Sequence, residues 1–155
     1  MYDVVIIGAG LIGMAASYYL AKARKSVALV NSHNPSHTEG SHHGETRLIR
    51  HAYGEGEKYV PIALRSQELW HELEEETGFN VFENTGIFNI GTRNSAFIQN
   101  VIQSVNTFTL DTKVLIAREI NEKWPGFQLP DHLMGCFERN SGILFSEKAS
   151  NCGFS

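Results

Sequence analysis

Gly8-Ala9-Gly10-Leu11-Ile12-Gly13 spaces its glycines as G-x-G-x-x-G, a pattern whose chemistry is the binding of a pyrophosphate by backbone groups. Gly8 permits a tight exit from a strand, Gly10 keeps a Cβ out of the path of the phosphates, and Gly13 lets the next helix lie close on the sheet. The unpaired N–H groups and the dipole of that helix then face the anion. Taken alone, the same pattern also describes an ordinary glycine-containing turn. A second group is Arg47 and Arg50, which on a helix or tight turn would share one face. Guanidinium groups grip carboxylates in a planar fork and stack on flat rings, whereas an isolated surface pair is simply solvated. Five of the seven histidines crowd the same region: His33, His37, His42, His43 and His51. No metal site is expected from them. His33 and His37 suit a metal only on a helix, which Pro35 opposes, and Glu39 and Glu45 are the only carboxylates nearby.

These groups need elements to hold them. Val4-Val5-Ile6-Ile7 reads as a parallel strand buried on both faces, Met14 to Ala23 as a helix, and Ser26 to Val30 as a second strand. Strand, glycine turn, helix and strand within about thirty residues make one βαβ unit, and that context turns the glycine pattern into a dinucleotide-binding expectation. Such units place an acidic residue at the end of the second strand, about 20 residues on, to hold ribose hydroxyls. Asn31 stands there instead and offers an uncharged acceptor.

Residues 31–44 are almost wholly polar and predict a long functional loop. Pro61 to Thr77 predicts a helix with Pro61 in its first turn, Ile62, Leu69, Trp70 and Leu73 on one face, and Gly78 at its end. Val81 to Glu83 and Ile87 to Ile90 flank Asn84-Thr85-Gly86, a hairpin signal. Ser95 to Phe108 carries Phe97, Ile98, Val101, Ile102 and Val105 at helical spacing. Val114 to Ile116 reads as a strand and Glu119 to Lys123 as a short helix stopped by Pro125. Leu133 to Phe137 and Ile143 to Phe145 flank a second turn, and Ser146-Glu147-Lys148 opens a helix.

A length of 155 residues suits one domain, and 42% apolar with 19% charged residues supports a packed core rather than disorder. The net charge of −4 argues against a general nucleic-acid or anionic-membrane binder, both of which need a basic face. Val4 to Ala16 is too short to span a bilayer, and Asp3 sits where a signal peptide carries a basic residue. Cys136 and Cys152 form no metal or redox motif, so a reducing, cytoplasmic setting is expected.

The block Gly40-Ser41-His42-His43-Gly44-Glu45-Thr46-Arg47-Leu48-Ile49-Arg50-His51-Ala52-Tyr53-Gly54-Glu55-Gly56, with Asp3-Val4-Val5-Ile6-Ile7-Gly8-Ala9-Gly10, resembles the family of monomeric sarcosine oxidase and N-methyltryptophan oxidase. These are flavoenzymes of the D-amino-acid-oxidase-like group. The resemblance continues through Tyr59-Val60-Pro61, Leu64 to Trp70, Trp124 to Phe127 and Asn140 to Glu147. It implies an α/β fold: an FAD-binding Rossmann-like N-terminal part with an inserted, incomplete α+β portion of a substrate domain. The corresponding boundaries are 1–58 for the FAD unit and flavin-contacting loop, 59–145 for the start of the substrate domain, and 146–155 for a truncated or aberrant tail.

The resemblance implies FAD as cofactor, bound by Gly8, Gly10, Leu11, Ile12, Gly13, Asn31, Ser41, His42, Thr46 and Arg47. It places His43 and Arg47 beside the flavin ring and Arg50 at the substrate carboxylate, so these three are the candidate catalytic residues. The implied reaction oxidises sarcosine or a similar N-methyl amino acid to an imine, releasing formaldehyde and hydrogen peroxide. The partners are then a small secondary amine and oxygen, with no nucleic acid or membrane, and the full-length enzyme is a monomer. Departures from the family pattern are Asn31 for an acidic residue, Arg24 and Lys25 where a glycine ends the first helix, and Glu45 for aspartate. The family's flavin-linking cysteine and its active-site lysines map to nothing here, so the isolated chain is expected to show no oxidase activity. Two alternatives stand beside this: a non-catalytic remnant that binds nucleotide weakly or not at all, and a nicotinamide-dependent dehydrogenase supported by the glycine turn alone.

Overall fold

A computed structural model describes residues 1–33 and 44–152. The expectations for Ser41, His42 and His43, and for His37, lie outside the described residues. The chain clusters into two compact units, one of Met1–Arg47, Glu74–Val81 and Leu144–Ser155, the other of Leu48–Leu73 and Phe82–Ile143.

The first unit opens with β1 (Val4–Ile7), α1 (Leu11–Lys22) and β2 (Val27–Val30). The two strands pair in parallel, Val4 with Val27 through Ile7 with Val30, as the βαβ reading requires. Asp3 fixes this register at its start: its carboxylate accepts the Ser26 N–H at 2.8 Å and the Ser26 hydroxyl at 3.0 Å. Those bonds, the backbone one first, hold the Asp3 carboxyl below its ordinary value. The strand is not buried on both faces as expected. Val5 and Ile7 are 60% and 88% exposed, and the described residues cover only the alternate face. At the end of α1, Arg24 takes φ +59°. The Lys25 N–H reaches the Leu20 carbonyl and the Arg24 N–H the Ala21 carbonyl. This is the Schellman closure that glycine usually makes, here built with an L residue.

In the second unit, β5 (Ile87–Thr92), β6 (Thr112–Ile116) and β7 (Leu133–Glu138) form an antiparallel sheet with β7 in the centre. α3 (Ala96–Phe108) packs on one face, where Val101 meets Ala52 and Cys136, with Phe97, Ile102, Val105 and Leu110 around them. Ser95 caps it by accepting the Ile98 N–H. The opposite face carries an aromatic cluster. Phe88, paired with Phe137 across the strands, has Trp124 and Phe127 against its ring at centroid distances of 4.9 and 5.3 Å. α4 (Ala117–Lys123) follows β6 directly, two residues earlier than the sequence suggests.

A second three-stranded sheet has the order β3 (Arg47–Ile49), β8 (Gly142–Leu144), β4 (Phe82–Glu83). It corrects the hairpin expectation: β4 and β5 flank Asn84-Thr85-Gly86 but belong to different sheets. Gly86 (φ +71°) donates its N–H to the Ser141 carbonyl at 2.9 Å, and a Cβ there would lie 2.5 Å from the Phe137 ring. The turn therefore marks a passage from one sheet to the other, at a point where only glycine fits.

α2 (Val60–Thr77) matches the predicted helix, with a different inner face. Val60 and Ala63 are buried, Leu69 and Leu73 are partly buried, and Ile62 is 68% exposed, so Ile62 does not share the inner face with them. α5 (Ser146–Cys152) is the helix that Ser146-Glu147-Lys148 announces. No helix among the described residues is long and apolar enough to cross a membrane.

Candidate functional site

The glycine turn does what its spacing asks. Gly8 leaves β1 at φ +104°, a backbone that L side chains rarely adopt, and its N–H is held by the Val30 carbonyl at 2.7 Å. A Cβ on Gly13 would stand 1.9 Å from the Gly8 carbonyl oxygen, so α1 approaches β1 only because that position is bare. Gly10 differs: a Cβ there meets nothing within 4 Å. It is the N-cap of α1, has no side chain to cap the helix, and α1 has no acidic residue in its first turn. The N–H groups of Leu11, Ile12 and Gly13 thus belong to an uncapped first turn beside open space. That geometry fits a diphosphate, which supplies the missing acceptors and the negative charge a helix start favours.

Asn31 follows β2 and turns inward. Its Oδ1 accepts the Ala9 N–H at 3.1 Å, and its Nδ2 donates to the His33 carbonyl at 2.7 Å. The amide that replaces the expected carboxylate therefore braces the turn. Sequence pattern assigned it to the ribose and gave no sign of this second duty.

Thr46 and Arg47 are exposed at the start of β3, where the Arg47 guanidinium donates to the Thr46 carbonyl at 2.8 Å. The segment before them is clamped by α5. The Ser146 hydroxyl donates to the Gly44 carbonyl at 2.5 Å and its N–H to the Glu45 carbonyl at 3.1 Å. Ser146 is buried, and sequence reading gave it only a helix start. Arg47 begins a strand and Arg50 follows its end, so the helix or tight turn on which an offset of three would align the pair is not formed here.

Arg50, within the second unit, is half-buried in a polar and aromatic setting. Its guanidinium lies 4.9 Å from the Tyr53 ring centroid and 5.9 Å from that of Phe97. One end is paired with the Glu55 carboxylate and the other points Nη1 at Asn89 Oδ1, 3.5 Å away. Burial, the largest single influence on the Glu55 carboxyl, acts to raise it, but the hydrogen bond from Arg50, a backbone hydrogen bond and the Arg50 charge together outweigh burial and leave the group below its ordinary value. A planar cation faced by rings, with an exposed carboxylate as its exchangeable partner, can take up a ligand carboxylate in that partner's place.

Beneath Arg50 lies a group that the sequence concealed. Glu138, 2% exposed, ends β7. Its Oε2 accepts the N–H groups of His51 at 2.7 Å and Ala52 at 3.0 Å and the Ser141 hydroxyl at 2.8 Å. Its Oε1 accepts Asn89 Nδ2 at 2.5 Å. Four donors compensate the buried charge and fasten the residues after Arg50 to the antiparallel sheet. His51 is buried beside it. Burial pushes its imidazole below the ordinary value of 6.5, although the Glu138 charge and the neighbouring Gln67 side chain pull the other way.

The family described as FAD dependent oxidoreductase matches residues 3–151 of this chain. Monomeric sarcosine oxidase of Arthrobacter sp. (strain TE1826) is 51% identical over 152 residues, covering 97% of this chain and 38% of that protein. N-methyl-L-tryptophan oxidase of Yersinia pestis (strain Pestoides F) is 49% identical over 148 residues, covering 96% and 40%. The chain thus spans 38–40% of the length of these relatives. Among solved structures, NikD, described as an unusual amino acid oxidase essential for nikkomycin biosynthesis, is similar with a TM-score of 0.83. That match covers 99% of this chain and 40% of NikD at 23% identity, and it is a likeness of fold.

Proposed function

The chain belongs to the FAD-dependent oxidoreductase family, whose cofactor is FAD, and from that premise we propose that it serves the oxidation of a secondary amine, sarcosine or a similar N-methyl amino acid. In this reading the amine becomes an imine, water releases formaldehyde from it, and oxygen leaves as hydrogen peroxide. FAD, when bound, supplies the two-electron acceptor for the amine and the electrons for oxygen.

The chain's own residues supply binding and orientation. The uncapped start of α1 and the bare Gly10 receive the diphosphate, and Asn31 holds the turn in shape while Gly8 and Gly13 let it pack. Arg50 takes the substrate carboxylate and so fixes where the methyl carbon lies. Arg47, with Thr46, Ser41, His42 and His43, lines the flavin side in this proposal. A guanidinium there favours negative charge on the ring. The single observation that carries the substrate assignment is the setting of Arg50, a half-buried guanidinium facing two rings whose ionic partner Glu55 is 52% exposed.

A second reading, a module that holds nucleotide without oxidising amine, is favoured by the uncovered apolar face of β1 and β2, where Val5, Ile7 and Val30 are exposed. One experiment separates the two. The purified chain is mixed with FAD and the absorbance and fluorescence of the flavin are followed, then sarcosine is added and the spectrum of the bound flavin is followed again. Flavin retention with a saturable, sarcosine-dependent change in that spectrum, lost in Arg50→Ala, supports the oxidase reading. Retention without such a change supports the module, and no retention defeats both.

A further inference from the structure

We infer that Glu138 is a positioning residue for Arg50, acting through the amide of Asn89, whose orientation it sets. Asn89 and Glu138 lie on neighbouring strands of one sheet, and Asn89 pairs directly with Cys136 two residues before Glu138. Their side chains therefore share a face as diagonal neighbours. Both are buried, at 4% and 2% exposure, so neither can exchange its partner for water.

The chemistry of the pair leaves one arrangement. A carboxylate can only accept, so the Asn89 group that meets Glu138 Oε1 at 2.5 Å is its NH2. The amide oxygen is then turned to the other side, toward Arg50 Nη1 at 3.5 Å. That distance is long for a hydrogen bond, so what Asn89 offers the guanidinium is chiefly the negative end of its dipole. Were the amide reversed, the same dipole would repel the cation. Glu138 holds Arg50 from a second direction as well, since its other oxygen takes the N–H groups of His51 and Ala52, the two residues that follow Arg50. One buried carboxylate thus fixes the backbone after Arg50 and the sign of the dipole before its guanidinium. The functional meaning of this rests on Arg50 being the carboxylate-binding group, as proposed above.

The test replaces the acceptor by a donor of the same shape. In Glu138→Gln the new NH2 meets Asn89, whose amide must reverse and present its own NH2 to Arg50. The double substitution Glu138→Gln with Asn89→Asp restores an acceptor to both neighbours. The readout is nitrogen NMR of the Arg50 guanidinium in the 155-residue chain, assigned by its loss in Arg50→Lys. In the parent chain its rotation and hydrogen exchange are slowed. Glu138→Gln speeds both by about three- to tenfold, the effect of losing a favourable contact to a charged group, and the double variant restores the slow behaviour. Normal Arg50 dynamics in folded Glu138→Gln, or no rescue in the folded double variant, overturns the inference. If Glu138→Gln does not fold, Asn89→Leu decides: it spares three of the four bonds to Glu138, and unchanged Arg50 dynamics there are equally fatal. Acetate added to the parent chain keeps this apart from the functional reading. Silence of the Arg50 signals toward acetate removes its role as carboxylate site, while the relation among Glu138, Asn89 and Arg50 stands or falls on the dynamics alone.

Discussion

Asn31 Oδ1 accepts the N–H of Ala9 at 3.1 Å, so the residue that ends the parallel pair holds the middle of the glycine turn. A side chain that only contacted ribose could be shortened without effect on the empty protein. Asn31→Ala should instead lower the stability of the nucleotide-free chain by about 1 kcal/mol, the scale of one hydrogen bond, and weaken FAD binding besides. Asn31→Asp keeps the acceptor for Ala9 and adds the charge usual at this place, so it should bind FAD at least as well as the parent. Urea midpoints without ligand and a flavin fluorescence titration measure the two effects. A midpoint unchanged in Asn31→Ala would show that the contact is idle.

Gly10 and Gly13 should fail in opposite ways. Gly10→Ala places a methyl in open space at an ordinary φ of −73°, so the fold should change by less than about 1 kcal/mol while FAD affinity drops. Gly13→Ala drives a methyl into the Gly8 carbonyl and should destabilise the chain by about 1–3 kcal/mol before any ligand is added. Equal melting temperatures for the two variants would contradict the packing described for α1 on β1.

Arg24 closes α1 in the left-handed region at φ +59°, a conformation that strains residues bearing a Cβ. Arg24→Gly should therefore stabilise the chain by about 0.5–1 kcal/mol, the relief of strain exceeding the added freedom of the unfolded chain. The side chain is exposed, so no lost packing complicates the comparison. A lower melting temperature in this variant would show that Arg24 makes a compensating contact.

His51 should make stability depend on pH in a definite sense. Its folded-state value lies below 6.5 because burial disfavours the charged ring. Between the folded value and 6.5 the unfolded chain binds more protons at this site, so stability rises with pH and is lost as pH falls below 6.5. His51→Asn, which removes the titration but retains a polar group for Gln67, should flatten that slope relative to the parent. Urea denaturation at pH 5 and at pH 7.5 gives the comparison, and parallel losses in both chains would place the pH sensitivity elsewhere.

Local chemistry accounts for what was legible from the residues. The glycine turn, the Pro61-initiated helix and the Ser95-capped helix announce themselves through backbone requirements or a helical period that near neighbours fix. The flanks of Asn84-Thr85-Gly86 were misread because a turn signal reports the bend and not the partner. Here the partners are β8 and β7, and Gly86 passes between the two sheets close against the Phe137 ring. Asn89 and Glu138 stayed hidden for a related reason. Each is a polar residue in an apolar strand, and nothing in sequence spacing says that they meet. Arg50 could be nominated by its type, whereas the rings of Tyr53 and Phe97 that face it became visible only in three dimensions.

The passage of the chain between sheets at Asn84–Gly86 and again between β7 and β8 carries a consequence for how the protein reaches its fold. β5 skips its nearest successor and pairs with β7, with Ile87 opposite Glu138, and β4 waits for β8. These pairings cannot begin from a tight hairpin, and each demands that a long stretch of chain be brought round before any bond rewards it. The second unit is thus one of high contact order, in which the helices can form early while the sheets, and with them the seat of Arg50, are completed last.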